Sequence, residues 1–195
     1  MNKAQTVIQN IKERRTIKPE QCSNEKIPDA DVWTILECAN WAPTHGYTEP
    51  WRFVVFTDEG KHTISKAHAD MYKNNAPADK FKQVKYNGLI ERAKSTSHII
   101  AIINKRGANA HIPKIEEIEA TAMAVQNMQL AASAMGYAAY IHSGGMTFTD
   151  EMKNYLGFEA EDDVLGFLYL GVPNEEIKPG RRITPIQDKV KWIDK

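Results

Sequence analysis

The segment that ends at Gly136 constrains the fold of this chain more than any other. Its apolar residues recur at intervals of three or four, the spacing of one face of an α-helix. They are Ile115, Ile118, Ala122, Val125, Met128, Ala132 and Met135. Gly136 stands where a helix C-terminal cap is expected. The segment is rich in alanine and apolar enough to be buried, so we expect the rest of the chain to pack around it.

Single strands separate the predicted helices. Residues of strand character occupy 52–57, 98–104, 137–142 and 164–172. Helical patterns are found at 3–13, after a cap at Asp29, twice within 59–95 and at 149–157. Helices that alternate with single strands indicate a sheet wrapped by helices, of the α+β or α/β class.

Composition excludes several classes of partner. The 195 residues are 42% hydrophobic, which suits a single domain over 1–195. Lysine plus arginine and aspartate plus glutamate number 25 each, so no basic excess favours nucleic acid. No stretch approaches the ~20 apolar residues of a membrane span, and we expect no secretory signal. Cys22 and Cys38 lack disulfide or metal spacing, so we expect reduced thiols in a cytoplasmic protein.

Several common site motifs are missing. No strand is followed by G-x-G-x-x-G and no G-x-x-x-x-G-K-[ST] occurs, so we expect neither a Rossmann dinucleotide site nor a P-loop. His142 has no second histidine or cysteine at ligand spacing, so we expect no metal. Ser143 lies in H-S-G-G rather than G-x-S-x-G, which does not support a hydrolase.

Arg14, Arg15 and Thr16 directly follow the first predicted helix. Two guanidinium groups and a hydroxyl can bind a phosphate, because arginine matches phosphate oxygens in a bidentate manner. The same pattern is typical of a solvated basic helix end, which complements the helix dipole. A second basic pair, Arg181 and Arg182, leaves the same two interpretations open.

The stretch WAPTHGYTEPWRFVVF (41–56) places a loop rich in proline and glycine between two tryptophans. The loop is either a simple break between a helix and a strand or a ledge for a flat aromatic ligand. His45 can donate a hydrogen bond to a carbonyl or phosphoryl oxygen, or be an ordinary exposed histidine. Trp41 and Trp51 are either core residues or part of a ligand platform.

The sequence YIHSGG (140–145) ends a predicted strand with a hydroxyl and two glycines. Glycines let a ligand approach the backbone closely and leave amides free to donate hydrogen bonds. The alternative is an ordinary turn.

Read in order, RRT, WAPTHGYTEPWRFVVF, IPKIEEIEATAMAVQNMQLAASAMGYAAYIHSGG and VLGFLYLGVP resemble the nitroreductase family of FMN-dependent NAD(P)H oxidoreductases. The resemblance runs from Val7 to Pro173 and is closest to the compact branch of the family. It implies an α+β nitroreductase-like fold, with a central mixed sheet wrapped by helices. It also implies an intertwined homodimer with FMN bound at the interface by both chains.

The tail 174–195 ends in three apolar residues that cannot join a core alone, Val190, Trp192 and Ile193. We expect this tail to pack on the partner subunit.

The cofactor contacts that the resemblance implies fall in three segments. The first would bind the FMN phosphate, ribityl chain and ring edge. The second would reach the cofactor from the loop, and the third would cover the flavin largely through backbone groups. The residues are, in that order, Arg14, Arg15 and Thr16; Trp41 and His45; and Ile141, His142 and Ser143.

The resemblance also assigns nicotinamide-cofactor contacts to the end of the long helix. These residues are Ala131, Ala132, Ser133, Ala134, Met135 and Gly136. No catalytic residue is assigned, because the flavin itself performs the redox chemistry.

The implied activity passes a hydride from NAD(P)H through FMN to a nitroaromatic, a quinone or a similar small oxidant. Two alternatives stay open, namely a different flavin chemistry on the same scaffold and a non-catalytic flavin-binding module. Thr44 stands where the compact branch has aspartate, and Tyr47 and Glu49 stand where larger relatives have asparagine and glutamine. The physiological substrate and the choice between NADH and NADPH therefore remain open.

Overall fold

The structure, a computed structural model, describes residues 2–174 and 176–194. Its helices are α1 (Lys3–Glu13), α2 (Asp29–Asn40), α3 (Glu59–Asn75), α4 (Gln83–Glu91), α5 (Lys114–Ala134) and α6 (Asp150–Tyr155). Its strands are β1 (Trp51–Phe56), β2 (His98–Asn104), β3 (Ala138–His142) and β4 (Asp163–Gly171). Short 3₁₀ turns cover Pro19–Gln21, His45–Tyr47 and Ile186–Lys189.

The elements predicted from the sequence are present, with small shifts at their ends. The two predicted stops, Gly136 and Gly157, have φ of 81° and 80°. Thr149 caps α6 by accepting a hydrogen bond from the backbone N–H of Met152. Asp29 is not a cap, because it is the first helical residue of α2 and Pro28 precedes it.

The four strands form one sheet in the order β1-β2-β4-β3, and every neighbouring pair in it is antiparallel. The α+β class is confirmed, but the expectation of a mixed sheet is corrected for the described strands. α5 connects β2 to β3 as a crossover, so these two strands run in the same direction. β4 inserts between them and is antiparallel to both, so no two parallel strands are neighbours.

Helices cover both faces of the sheet, and β2 is buried along its whole length. Its alternate side chains enter two separate cores, as the two-residue period of a strand requires. Ile100 and Ile102 pack with α2 and α5 on one face, whereas Ile99 and Ile103 pack with α3 and α6 on the other. An unbroken apolar strand such as HIIAIIN is typical of burial on both faces.

Helix α1 lies on the outside of α5 and has no buried residue. The Asn10 side chain donates a hydrogen bond to the backbone oxygen of Leu130, which ties α1 to the C-terminal half of α5. The apolar side chains Val7, Ile8 and Ile11 are each about half exposed. No helix in the described part of the chain combines the length and the apolar character that a bilayer span requires.

A buried ion pair holds the N-terminal end of α5 to the loop after β2. The Glu117 side chain is fully buried, and its Oε2 accepts a hydrogen bond from Arg106 Nη1 at 2.6 Å. Its Oε1 also accepts a hydrogen bond from the backbone N–H of Gly107 at 3.0 Å. Arg106 Nη2 in turn donates to the backbone oxygen of Ile112. This pair fixes the loop on which one part of the candidate site rests.

Replacing Glu117 by alanine should destabilise the protein strongly, because it leaves the Arg106 guanidinium without its carboxylate partner. Loss of one partner of a buried pair costs on the order of 3 kcal/mol. The control is Glu119→Ala on the same helix, where an exposed glutamate should change stability by about 0.5 kcal/mol or less. Urea unfolding at one fixed protein concentration measures both variants. Equal stability of the two variants would show that the ion pair does not support the fold.

Candidate functional site

The segment Arg14–Thr16 runs alongside the exposed edge of the sheet. α1 ends at Glu13, and the backbone N–H of Arg14 closes its last turn on Asn10. Directly after Thr16, the N–H of Ile17 donates to the backbone oxygen of Ala139 in β3 at 3.3 Å. This contact brings the arginine segment next to the edge strand that carries Ile141 and His142, as the resemblance implies.

The charges of three arginines, Arg14, Arg15 and Arg182, act on one another at this corner of the molecule. Arg14 Nη1 and Arg15 Nε are buried and have no hydrogen-bond partner among the described residues. Burial, together with the charges of Arg15 and Arg182, lowers the pKa of Arg14. Gly180 packs so closely that a Cβ there would lie 2.6 Å from the Arg15 guanidinium carbon. Buried donors without acceptors, beside like charges, favour an anion as the missing partner.

Two cavities flank this arginine cluster. The larger has a volume of about 640 Å³ and lies between α1, the end of α5 and the tail. Its lining includes Glu13, Arg15, Ser133, Ala134 and Lys178. The smaller, of about 130 Å³, is lined by Arg15, Thr16, Gln21 and residues of the tail. The tail therefore approaches the arginine segment of its own chain, which the sequence alone did not indicate.

The six residues at the end of α5 do not share one environment. Ser133 and Ala134 line the larger cavity, whereas Ala132 is fully buried in the core and Met135 packs against that core. Ala132 has no surface available to a nicotinamide. The C-terminal end of a helix also carries the negative end of its dipole, which disfavours phosphates. The structure thus brings only part of this segment to a cavity.

Ile141, His142 and Ser143 form the end of β3 and the start of the following loop. Ile141 is partly exposed, and Ser143 is exposed. His142 Nε2 lies 3.0 Å from Arg92 Nη1. Burial, Arg92 and the nearby His68 lower the pKa of His142 to about 4, so its ring is neutral near pH 7. The backbone at this strand end is accessible, which fits a role in covering a flat ligand.

The loop after α2 is rigidly held. The Trp51 ring is buried, and its Nε1 donates to Asn40 at 3.3 Å, which anchors the loop in the core. The Thr44 and Thr48 hydroxyls lie 2.8 Å apart and tie the turn together. His45 is exposed at the top of the loop, and its Nδ1 lies 2.6 Å from Glu116 Oε2. This contact uses Nδ1, so Nε2 is the His45 nitrogen that could contact a ligand.

Trp41 lies at a different position from His45. Its ring is 80% exposed and borders an apolar groove between α1, α2 and α5. Groove neighbours of Trp41 include Ile11 and Leu130. Its indole Nε1 donates to Glu37 at 3.0 Å. Trp41 is therefore a surface residue, not a core residue.

Helix α5 separates the two halves of the predicted site. His45 contacts α5 at Glu116, near its first turn, whereas the cavity beside Arg15 is lined by Ser133 and Ala134 in its last turn. At 1.5 Å per residue these points lie about 25 Å apart along the helix axis. One chain brings Arg14–Thr16 close to β3, but it does not bring His45 to them.

Several residues at the site were missed by sequence reasoning. Glu116, His68 and Arg92 contact predicted site residues or their loop, and each is distant in sequence from its partner. No local motif marks them. The sequence left two interpretations of the pair Arg181 and Arg182 open. Only the fold shows that the Arg182 charge lies close enough to lower the pKa of Arg14.

Comparison with known proteins is consistent with this geometry. A protein from Bacillus subtilis, "Putative NAD(P)H nitroreductase YfhC", is 26% identical over 180 residues, which cover 92% of this chain and 90% of that protein. The crystal structure of a nitroreductase-like family protein from Bacillus cereus matches with a TM-score of 0.83 at 24% identity, over 100% of both chains. The FMN-dependent nitroreductase NfnB from Mycobacterium smegmatis, solved in complex with NADPH, matches with a TM-score of 0.77 at 15% identity, over 99% of this chain and 100% of that chain.

The fold and the arginine-lined strand edge thus define an α+β protein of the nitroreductase type. The Nitroreductase family profile matches residues 11–172, so the chain belongs to the nitroreductase family. The recognition made from the sequence and the oxidoreductase class are confirmed. Within residues 2–174 and 176–194, no three histidine, cysteine, aspartate or glutamate side chains are grouped as a metal site requires.

Proposed function

We propose that this protein is an FMN-dependent oxidoreductase that uses NAD(P)H to reduce a nitroaromatic, a quinone or a similar small oxidant. The observation that carries the proposal is the arginine cluster. Arg14 and Arg15 lie beside the edge of β3 within range of the Arg182 charge, and Arg14 Nη1 and Arg15 Nε are buried with no hydrogen-bond partner among the residues that the structure describes. The family membership and the FMN and NADPH of the related NfnB support the same cofactors here.

The residues present fit FMN. The Arg14 and Arg15 guanidiniums would bind the phosphate, because charge-assisted bidentate contacts suit a dianion and satisfy the orphaned donors. Thr16, which lines the smaller cavity with Arg15, would contact the ribityl chain. Ile141 and Ser143, at the accessible end of β3, would place backbone groups against the ring.

Bound FMN supplies the redox chemistry by accepting a hydride from the nicotinamide and passing electrons on to the oxidant. The protein contributes position and charge. A site of fixed dipoles stabilises the negative charge that develops on a reacting group without having to reorganise. We assign this role to the backbone of Ile141–Ser143 and to His45, with no side-chain acid or base.

We also infer a homodimer in which each site is built from two chains. His45 lies about 25 Å along α5 from the arginine cluster of its own chain, so one FMN cannot touch both within a single chain. A second copy related by a twofold axis would bring its loop to the cluster. Trp41 borders a groove lined by α1 and the last turns of α5, as the larger cavity is, so it would approach the cofactor from the chain that supplies the arginines.

Exposed apolar surface supports this assembly. Ile183, Trp192 and Ile193 of the tail are 91%, 86% and 72% exposed, and the face of α1 is half exposed. Large exposed apolar side chains in one region mark an interaction surface. We propose that the tail 174–195 packs on the partner subunit, although its stretch around Gly180 contacts Arg15 of its own chain.

Purified protein should carry FMN, one per chain, and this cofactor should turn over. Chromatography of the heat-released cofactor identifies it. NADPH or NADH should bleach the yellow colour, and a nitroaromatic or a quinone should restore it. A protein that binds FMN but is not bleached by either nicotinamide would be a flavin-binding module, and a protein that takes up no FMN would contradict the proposal altogether.

Arg14→Ala and Arg15→Ala should each weaken FMN binding at least tenfold, which is about 1.4 kcal/mol. A hydrogen bond to a charged group contributes roughly 1.5–3 kcal/mol, so loss of one phosphate contact is sufficient. Riboflavin, which has no phosphate, should lose much less affinity in the same variants. Lys12→Ala, an exposed basic residue in the last turn of α1, is the matched control. If riboflavin and FMN lose affinity equally, the arginines do not bind the phosphate.

Mixed dimers should distinguish a shared site from a site within one chain. Arg15→Ala and His45→Ala chains are co-expressed with two different tags, and the mixed dimer is isolated with both. If each site takes Arg15 from one chain and His45 from the other, one site in the mixed dimer is intact and the other lacks both residues. Half of the sites should then bind FMN with wild-type affinity, which titration followed by flavin fluorescence measures. A mixed dimer in which no site recovers wild-type affinity would place both residues of each site in the same chain.

A further inference from the structure

A buried cluster of polar side chains lies directly beneath the loop that follows β3. We call it the histidine cluster, and it consists of His68 on α3, Arg92 after α4, His142 at the end of β3 and Tyr169 on β4. The His68 and His142 ring centroids are 6.3 Å apart. His68 and Tyr169 are almost completely buried. None of the predicted cofactor contacts lies on α3 or α4. The polar side chains His68 and Arg92, which these two helices bring under the loop, therefore need a separate explanation.

His68 holds the backbone of the loop. Its Nε2 accepts a hydrogen bond from the N–H of Met146 at 3.0 Å, so the ring is neutral at this nitrogen and carries its proton on Nδ1. Gly145, with φ of 73°, lies against the same ring. A Cβ at Gly145 would lie 2.5 Å from His68 Nε2, so only glycine fits. The backbone of the loop therefore packs closely against the His68 imidazole.

Arg92 fixes the other histidine. A guanidinium can only donate, so Arg92 Nη1 donates to His142 Nε2 at 3.0 Å and places the His142 proton on Nδ1. That Nδ1 is buried and has no partner in the part of the chain that the structure describes. Gly144 packs on His142, because a Cβ there would lie 2.8 Å from Nε2. Both glycines of the H-S-G-G motif therefore serve close contact with histidine rings.

We propose that His68 and Arg92 are positioning residues, which hold the segment 142–146 in the one backbone conformation that can cover the flavin. The inference rests on the proposed function, because it takes this loop as the flavin cover. Neither residue is a catalytic residue, since each acts through the loop backbone or through His142. Through these contacts the histidine cluster fixes the orientation of the backbone N–H groups of the segment 142–146.

The geometry makes flavin binding sensitive to acid. Burial, followed by the charges of Arg92 and Lys85, lowers the pKa of His68 to about 4. The pKa of His142 is lowered to about 4 as well. The groups that face the pair are Lys85 and Arg92 from the α4 region, Tyr140 from β3 and Tyr169 from β4. No carboxylate is among these groups, so protonation adds charge that nothing nearby offsets.

The sign of the pH effect follows from these values. An unfolded histidine titrates near ~6.5, so between about pH 6.5 and 4 the unfolded chain binds protons that the folded cluster does not. Stability is therefore full above this window and falls as the pH decreases through it. Flavin affinity falls at a lower pH than stability does, because folded His68 becomes protonated, and so unable to accept the Met146 N–H, only as the pH approaches about 4.

The test compares His68→Phe with His68→Gln in the full-length protein. Phenylalanine keeps the ring next to Phe167 but removes the acceptor, whereas the glutamine side-chain oxygen can still accept the Met146 N–H. His62→Phe, at an exposed position on the same helix, is the matched control. Riboflavin is the ligand measured, because it lacks a phosphate whose own titration near pH ~6 would change binding before His68 is protonated.

At pH 7.5, His68→Phe should weaken riboflavin binding about tenfold, while His68→Gln stays within about threefold of the wild type and His62→Phe is unchanged. The reduction potential of the bound flavin should shift in His68→Phe and remain near wild type in His68→Gln. Wild-type affinity for riboflavin should hold from pH 7.5 to about 5 and decline as the pH approaches 4, and His68→Gln should decline less because one titrating group is gone.

Arg92→Met tests the second positioning residue by the same riboflavin titration and should lower affinity by a similar factor. A wild-type protein that binds flavin while His68→Phe and Arg92→Met retain full affinity and potential would overturn this inference alone. An equal loss of riboflavin affinity in His68→Phe and His68→Gln would also overturn it, because glutamine retains a hydrogen-bond acceptor for the Met146 N–H and phenylalanine does not. A wild-type protein with no affinity for FMN or riboflavin at pH 7.5 would overturn both the inference and the proposed function.

Discussion

The packing of α5 against the sheet is the constraint on which the rest of the structure depends. Its small side chains let the sheet and α2 approach closely, and Met128 and Ala132 have no exposed surface. The helix also acts as a spacer, because the loop with His45 meets its first turns and the arginine cluster meets its last. A straight helix about 30 Å long keeps the two apart whatever the surrounding loops do.

Because α5 keeps the His45 loop and the arginine cluster apart, the groups that lack a partner in the single chain indicate what the complete site requires. Within residues 2–174 and 176–194, the guanidinium groups of Arg14 and Arg15 have buried nitrogen atoms without acceptors, and Trp192 and Ile193 have apolar surface without cover. Folded proteins rarely retain such features without a ligand or a partner. A phosphate-bearing cofactor would meet the first deficiency, and a second copy of the chain would meet the second. The proposed site needs both at once.

Much of the fold could be predicted because its signals are local. The spacing of apolar residues predicted α5, and HIIAIIN predicted β2 to the residue. The segments around Arg14 and Ser143 could be singled out as site candidates, because a short motif marks each. The sheet arrangement could not be predicted, since whether β4 inserts between β2 and β3 depends on pairings distant in sequence. The apolar pattern already placed Ala132 on the buried face of α5, whereas the resemblance assigned it to a nicotinamide contact, and its burial agrees with the pattern.

The sequence by itself determined the family, the α+β class and the elements, since each depends on residues that are close along the chain. Only the tertiary structure decided which side chains meet. It placed His68 under a loop that lies 78 positions away and Glu116 against a histidine 71 positions away. It also brought Arg182 of the tail to Arg14. Such contacts depend on strand order and helix packing, and these follow from the free energy of the whole core rather than from any local pattern.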